Sequence, residues 1–106
     1  MLSTMQDLPL NLSRILTYGA TVFADCKVTT WESGAMQETT FAEIAARAAA
    51  LAHALHGLGI TGDQRVATLM FNCAEHVETF FAVACKGAVF NPLNKQLMND
   101  QIAHII

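Results

Sequence analysis

The chain has 106 residues, of which 53% are hydrophobic and only 14% are charged, and its formal net charge is −3. The six Lys and Arg residues form no basic stripe, so nucleic acid is excluded as an expected partner. Average soluble proteins carry roughly 25% charged residues, and small domains need more polar cover than large ones because they have more surface per volume. The composition therefore predicts a single segment, residues 1–106, from the interior of a larger protein.

A short helix is predicted first, over residues 10–18. Asn11 or Ser13 suits its start, because either side chain can accept a hydrogen bond from a free backbone N–H. Three apolar residues are predicted to share one side of the helix: Leu12, Ile15 and Leu16.

A β-hairpin is predicted next. Residues 26–33 are rich in β-branched side chains, which favour strands. Gly34 marks a turn, and residues 37–40 are expected to return antiparallel.

A long helix is predicted from Thr40 onward. Thr40 and Glu43 have the spacing of a capping box, in which the hydroxyl and the carboxylate each satisfy a backbone N–H of the first turn. Apolar residues then recur every three or four positions and predict one core-facing stripe: Phe41, Ile44, Ala48, Leu51, Leu55 and Leu58.

The stretch GLGITG, residues 57–62, fits the G-x-G-x-x-G fingerprint of dinucleotide-binding folds. That fingerprint holds a pyrophosphate where it follows a strand and opens a helix. Here it follows a helix and precedes a predicted strand, residues 65–70. We therefore interpret the glycines as a cap and a turn, with Gly57 or Gly59 in the left-handed conformation.

A strand–helix–strand unit is predicted in the second half. The strand at residues 65–70 leads to a helix at 74–86 and then to a strand in AVFNPLN, residues 88–94. Such a parallel βαβ unit is right-handed as a rule. Asn72 can cap the helix, which would pack through four residues: Val77, Phe80, Phe81 and Ala84.

The last predicted helix lies in NDQIAHII, with Asn99 or Asp100 as its cap. We expect the segment to be truncated within this helix, because its apolar residues have no partner in the sequence. The predicted order is α-β-β-α-β-α-β-α, and the fold class is α/β.

Candidate chemistry is sparse, and no catalytic, cofactor-binding or metal-ligating residue is predicted. His53 and His56 have a spacing that can hold a metal, but a third ligand is not evident and a solvated or packed pair is favoured. His76 is expected at the surface. Glu75 and Glu78 are explained by the positive end of the helix dipole rather than as an acid pair.

Cellular location is inferred from what the sequence lacks. The N-terminus has no basic start followed by an apolar run, as a signal peptide would. The longest charge-free run, residues 48–62, is too short to span a bilayer. An odd set of cysteines without metal-like spacing, Cys26, Cys73 and Cys85, predicts reduced thiols in a cytoplasmic protein.

Four stretches, taken in order, resemble the start of the AMP-forming acyl-CoA synthetases, which include the fatty-acid–CoA ligases: residues 39–55, 62–72, 74–90 and 91–97. The family shows T-[YF]-x-E-L, then G-D-x-V-A, N-x-x-E, G-A-V and P-L-N. The matching positions here are Thr40-Phe41-Ala42-Glu43-Ile44, Gly62-Asp63-Gln64-Arg65-Val66-Ala67, Asn72-Cys73-Ala74-Glu75, Gly87-Ala88-Val89 and Pro92-Leu93-Asn94.

Three positions depart from the family pattern. Phe71 stands where proline often precedes the asparagine, and Lys86 is adjacent to G-A-V rather than two residues before its glycine. Met98 replaces the usual threonine before the last helix. Since a methionine side chain cannot cap, Asn99 is expected to take its place.

The resemblance implies the N-terminal part of the synthetase large domain and a two-step reaction in the whole enzyme. A carboxylate attacks the α-phosphate of ATP, assisted by magnesium, to form an acyl-adenylate and pyrophosphate; a CoA thiol then displaces AMP. In the family, the phosphate loop, the ribose-binding motif and the C-terminal lysine lie beyond the matched stretches. The resemblance therefore implies an inactive scaffold segment whose partner is the rest of the enzyme. Apart from the resemblance, the apolar residues of the last predicted helix would be exposed in the chain alone, so self-association as a dimer is also expected.

Two other interpretations remain open at this point. The chain could be a stand-alone structural or oligomerising α/β domain without catalytic activity. It could also be a small independent ligand-binding protein, which would need a pocket with convergent polar groups.

Overall fold

The fold is taken from a computed structural model, which describes residues 4–106. Among these residues, four helices and four strands follow one another: α1 (Leu12–Val22), β1 (Lys27–Glu32), β2 (Ala35–Thr40), α2 (Phe41–Gly57), β3 (Arg65–Thr68), α3 (Ala74–Cys85), β4 (Val89–Pro92) and α4 (Asn99–Ile105). The order α-β-β-α-β-α-β-α and the α/β class are confirmed. Within residues 4–106, no helix is both long enough and apolar enough to cross a membrane.

The strands form two separate pairs. β1 and β2 are antiparallel, with Val28 opposite Thr39 and Trp31 opposite Met36. Ser33 and Gly34 make the turn with φ of 52° and 82°, a left-handed conformation that favours glycine. β3 and β4 are parallel and joined through α3, so both the predicted hairpin and the predicted βαβ unit are confirmed.

The start of α2 has the predicted capping box. The Thr40 hydroxyl accepts from the Glu43 backbone N–H at 3.2 Å, and the Glu43 carboxylate accepts from the Thr40 backbone N–H at 2.8 Å. This backbone hydrogen bond holds the pKa of Glu43 below its usual value. The capping box satisfies two backbone N–H donors that a helix start otherwise leaves without a partner.

The core lies between α2 and α3. Ile44 and Ala48 of α2 pack against Phe81 and Ala82 of α3, and all four are buried. Leu16 of α1 packs at the edge of this cluster. A Cβ at Gly19 of α1 would lie only 3.3 Å from the Phe41 ring, so the glycine allows α1 and α2 to approach closely.

Several predicted burial assignments are wrong. Ile15 is 60% exposed and Leu58 is 80% exposed, so neither belongs to the core stripe of its helix.

α1 starts at Leu12, with Asn11 as its cap, and extends to Val22. Asn11 Oδ1 accepts from the Arg14 backbone N–H at 3.2 Å, so of the two predicted caps Asn11 is the one used.

The cap of α4 also differs from the prediction. Met98, not Asn99 or Asp100, occupies the N-cap position. Gln101 Oε1 accepts from the Met98 backbone N–H at 3.0 Å. The glutamine at the third helical position therefore reaches back to the cap amide, so the helix can start after a residue whose own side chain is a poor cap.

Candidate functional site

The carboxyl ends of β3 and β4 meet the N-terminus of α3 at one edge of the parallel pair. In open α/β sheets, ligands bind at this edge. Thr68, the last residue of β3, places its Oγ1 3.1 Å from Nε2 of His76 on α3. The His76 ring also lies 5.4 Å from the Phe90 ring of β4.

His76 is therefore not the surface residue that the sequence predicted. It is half-buried, and Thr68, its hydrogen-bonding partner, is only 6% exposed. The prediction placed His76 on a different face from Val77 and Phe80, and this was wrong because residues four apart in a helix share a face. The rings of His76 and Phe80 both contact Phe90 of β4, so the face of α3 that carries them packs on the sheet.

Two open clefts share His76 and Asn72. The first, of about 370 Å³, runs between the hairpin and α3 and is mostly apolar. The second, of about 330 Å³, lies between the segments that follow β3 and β4. At the second cleft, Lys95 Nζ lies 2.8 Å from the centre of the Phe71 ring, which places a cation over an aromatic face.

The start of α3 is capped by a residue from the hairpin. Cys73, not Asn72, is the N-cap, and its side chain makes no capping hydrogen bond. Instead, the Ala74 backbone N–H donates to Thr30 Oγ1 at 3.0 Å, across 44 residues of sequence. The His76 backbone N–H donates to the Cys73 carbonyl. These amides are already engaged within the chain.

Burial raises the pKa of the Cys73 thiol. A raised thiol pKa keeps the group protonated at neutral pH, and a protonated thiol is a poor nucleophile. Glu75 behaves oppositely: its own backbone N–H and the Cys73 side chain lower its pKa. These hydrogen bonds at the helix start stabilise the Glu75 carboxylate.

Glu78 has a different role from the one predicted. Its Oε1 lies 3.2 Å from Arg47 Nη1 of α2, and the residue is 8% exposed. Glu78 is thus a buried carboxylate paired across the α2–α3 contact rather than a helix-dipole residue. The pair links the two helices that build the core.

The predicted histidine pair on α2 is exposed. His56 Nδ1 lies 3.3 Å from Lys86 Nζ, and His53 is also exposed. In the part of the chain that the structure describes, no three His, Cys, Asp or Glu side chains come together where they could hold a metal ion.

The GLGITG stretch ends α2 as a Schellman motif. The Ile60 N–H donates to the Leu55 carbonyl at 3.0 Å, and the Gly59 N–H donates to the His56 carbonyl at 3.0 Å. Gly59 has φ of +89°, whereas Gly57 is the last residue of the helix. Gln64 then holds the turn, since its Oε1 accepts from the Gly62 N–H at 2.7 Å.

Gly59→Ala is expected to lower the free energy of unfolding by about 1 kcal/mol, because a Cβ is strained at a left-handed φ. Gly57→Ala is the matched control. It has open space around it and lies within the helix, so alanine there should be neutral or slightly stabilising. Urea denaturation of both variants measures the difference, and equal losses would contradict the capping role of Gly59.

Comparison with known proteins identifies this architecture. Residues 17–106 match the family model of the AMP-binding enzymes. The chain belongs to the AMP-binding enzyme family. Over 105 residues it is 40% identical to a long-chain-fatty-acid–CoA ligase of Thermus thermophilus, covering 98% of this chain and 19% of that protein.

Solved structures of AMP-binding enzymes show the same arrangement. An anthranilate CoA ligase in complex with anthranoyl-AMP aligns with a TM-score of 0.81 at 30% identity, over 95% of this chain and 20% of that one. A fatty acyl CoA synthetase of Mycobacterium tuberculosis aligns with a TM-score of 0.74 at 32% identity, over 90% and 19%. The chain thus spans about a fifth of these relatives and corresponds to an N-terminal segment of them.

In this segment of an AMP-binding enzyme family member, the candidate site can contribute shape and hydrogen bonds. His76 and Thr68 tie α3 to the sheet edge, and Thr30 ties α3 to the hairpin. None of these contacts was predicted, because each joins residues on different elements. The sequence did give a partial indication for Thr30. Side chains alternate along a strand, so Thr30 lies on the same side of its predicted strand as Val28.

Proposed function

We propose that this chain is the N-terminal scaffold segment of a fatty-acid–CoA ligase. The whole enzyme would convert ATP, a carboxylic acid and CoA to acyl-CoA, AMP and pyrophosphate. The observation that supports this most is the 40% identity to the Thermus ligase across nearly the whole chain. ATP, magnesium and CoA would bind the whole enzyme, and the chain alone would be inactive.

The acyl-adenylate intermediate has a counterpart among the relatives. The aligned anthranilate CoA ligase holds anthranoyl-AMP, which is an acyl-adenylate. In this chain, the engaged amides at the start of α3 and the protonated Cys73 thiol favour a supporting role over a chemical one. The candidate site would then orient neighbouring segments of the enzyme.

A hybrid enzyme tests the proposal. This chain would replace the aligned N-terminal stretch of the Thermus ligase, and pyrophosphate release from ATP and a long-chain fatty acid would be measured. We expect activity within about tenfold of the parent ligase, since the scaffold fold is shared. The isolated chain should release none above buffer, because it lacks groups that would stabilise charge at the α-phosphate.

A folded but inactive hybrid would contradict the scaffold role. Fatty-acid-dependent turnover by the isolated chain, retained after repurification, would contradict its inactivity.

The exposed apolar residues favour a second candidate, a stand-alone oligomerising domain. Ile105 and Ile106 of the C-terminal segment are 46% and 81% exposed, and an isologous dimer is the commonest way to bury such a surface. Under this candidate, light scattering at micromolar concentration should report a dimer. The double variant Ile102→Asp, Ile105→Asp should dissociate it, and a monomer without the substitutions would exclude the candidate.

A further inference from the structure

The C-terminal ends of α2 and α3 bring a lysine to a histidine. Lys86 is the C-cap of α3, and His56 lies in the last turn of α2. Lys86 Nζ donates to His56 Nδ1 at 3.3 Å, across 30 residues of sequence. Because a lysine ammonium has donors and no acceptor, the ring nitrogen is the acceptor. The Lys86–His56 pair thus places the lone pair of an imidazole against the amine.

The other two lysines of the chain have neighbours that favour the charged form. Lys27 is paired with Glu38, and this hydrogen bond raises the pKa of Lys27. Lys95 Nζ lies over the Phe71 ring, and an aromatic face attracts a cation. An ammonium has no lone pair and cannot act as a nucleophile. Of the three lysines, Lys86 is therefore the one whose polar neighbour is a neutral base.

The Lys86–His56 pair is accessible from solvent. His56 is exposed and Lys86 is half-buried. A Cβ built at the following glycines, Gly57 and Gly87, would meet no atom within 4 Å, so both sides of the pair are open. Within residues 4–106, neither member forms an ion pair with a carboxylate. A reagent can therefore reach the amine, and no anion holds it in the charged form.

We propose that Lys86 is a site of acylation by acyl thioesters, with His56 as the general base. His56 accepts a proton from the ammonium, and the free amine attacks the thioester carbonyl. A C–N bond forms and the C–S bond breaks. The departing thiolate takes up the second proton that the nitrogen loses, and His56 releases its proton to water. The products are an amide at Lys86 and a free thiol, so the step needs no oxidant and no further reactant.

Acylation would change the contact between the two helices. It replaces an ammonium by a neutral amide and so removes the charged donor that joins Lys86 to His56. Acyl-CoA is a thioester and would be the product of the proposed ligase, so the whole enzyme would supply the reagent. The inference itself rests on the Lys86–His56 pair and goes beyond the proposed function.

Acetyl-CoA added to the purified chain tests the site, with peptide mass spectrometry to compare the three lysines. A positioned general base contributes about 10²–10⁴-fold in enzymes, and at this solvent-accessible pair we expect Lys86 to react about tenfold faster than Lys27 and Lys95. His56→Gln should remove this advantage, because an amide can accept a hydrogen bond but cannot take up the proton. His53→Gln is the matched control: His53 is exposed on the same helix, and its replacement should leave the Lys86 rate within about twofold.

Acetylation in denaturing urea gives a second readout. Unfolding separates the pair, so the three lysines should then react at similar rates. Equal rates in the folded chain, or an unchanged Lys86 rate in His56→Gln, would overturn the proposal. Selectivity for Lys86 that persists in urea would also overturn it, since the cause would then be local sequence. Because the thioester is added, these outcomes do not depend on whether the whole enzyme makes acyl-CoA, which the hybrid enzyme tests separately.

Discussion

Ile44→Ala is expected to lower the free energy of unfolding by about 3 kcal/mol, within the range for removing a large aliphatic side chain from a packed core. Ile44 is fully buried between α2 and α3, beside Phe81 and Ala82. The loss combines the transfer of apolar atoms with a cavity that the surrounding helices cannot close. Since domains of this size are stable by only about 5–15 kcal/mol, the variant should unfold at clearly lower urea concentration.

Ile15→Ala provides the control for this prediction. It removes the same atoms from a side chain that is 60% exposed, so the expected loss is at most about 0.5 kcal/mol. Urea denaturation at one protein concentration compares the two. Similar losses for both variants would show that Ile44 is not in a packed core.

Thr30→Val is expected to lower the free energy of unfolding by about 2 kcal/mol, because it removes an acceptor while leaving a buried donor without a partner. Thr30 is 9% exposed, and its Oγ1 accepts from the backbone N–H of Ala74, the first residue of α3. Valine keeps the shape of threonine, so packing is nearly unchanged. The effect should therefore report the hydrogen bond between the hairpin and α3.

The neighbouring Thr29→Val is a control with the same chemistry. Thr29 is exposed, and its replacement by a residue of equal strand propensity should change stability by less than about 0.5 kcal/mol. Hydrogen exchange at Ala74 gives a second readout, since its amide should lose protection in Thr30→Val. An unchanged Ala74 amide would contradict the long-range cap.

Local features of the fold were predictable because their partners are close in sequence. The capping box of α2 joins Thr40 and Glu43, three residues apart. The turn at Gly34 and the left-handed Gly59 follow from the conformational freedom of glycine. The order of elements along the chain also identified GLGITG as a cap and turn. A helix precedes it and a strand follows it, whereas the phosphate-binding arrangement needs a strand before it and a helix after it.

The candidate site was largely unpredictable because it joins residues from separate elements. His76 was expected at the surface, although its spacing of four residues from Phe80 places both on one face of α3. Its contacts with Thr68 and Phe90 join separate elements and are visible only in the tertiary structure. Glu78 was attributed to the helix dipole, whereas its partner Arg47 lies 31 residues earlier. Asn72 was expected to cap α3, but the hydroxyl that satisfies the helix start comes from Thr30.

The sequence by itself determined the order of elements, the α/β class, the capping box of α2 and the likeness to acyl-CoA synthetases. These depend on periodicity, turn chemistry and short motifs, which are properties of neighbouring residues. The tertiary structure alone decided which apolar residues are buried: Ile44 and Phe81 lie in the core, while Ile15 and Leu58 are exposed. Burial depends on how α1, α2 and α3 cross and on what covers the parallel pair, and a hydrophobic pattern does not specify the partner that each apolar face meets.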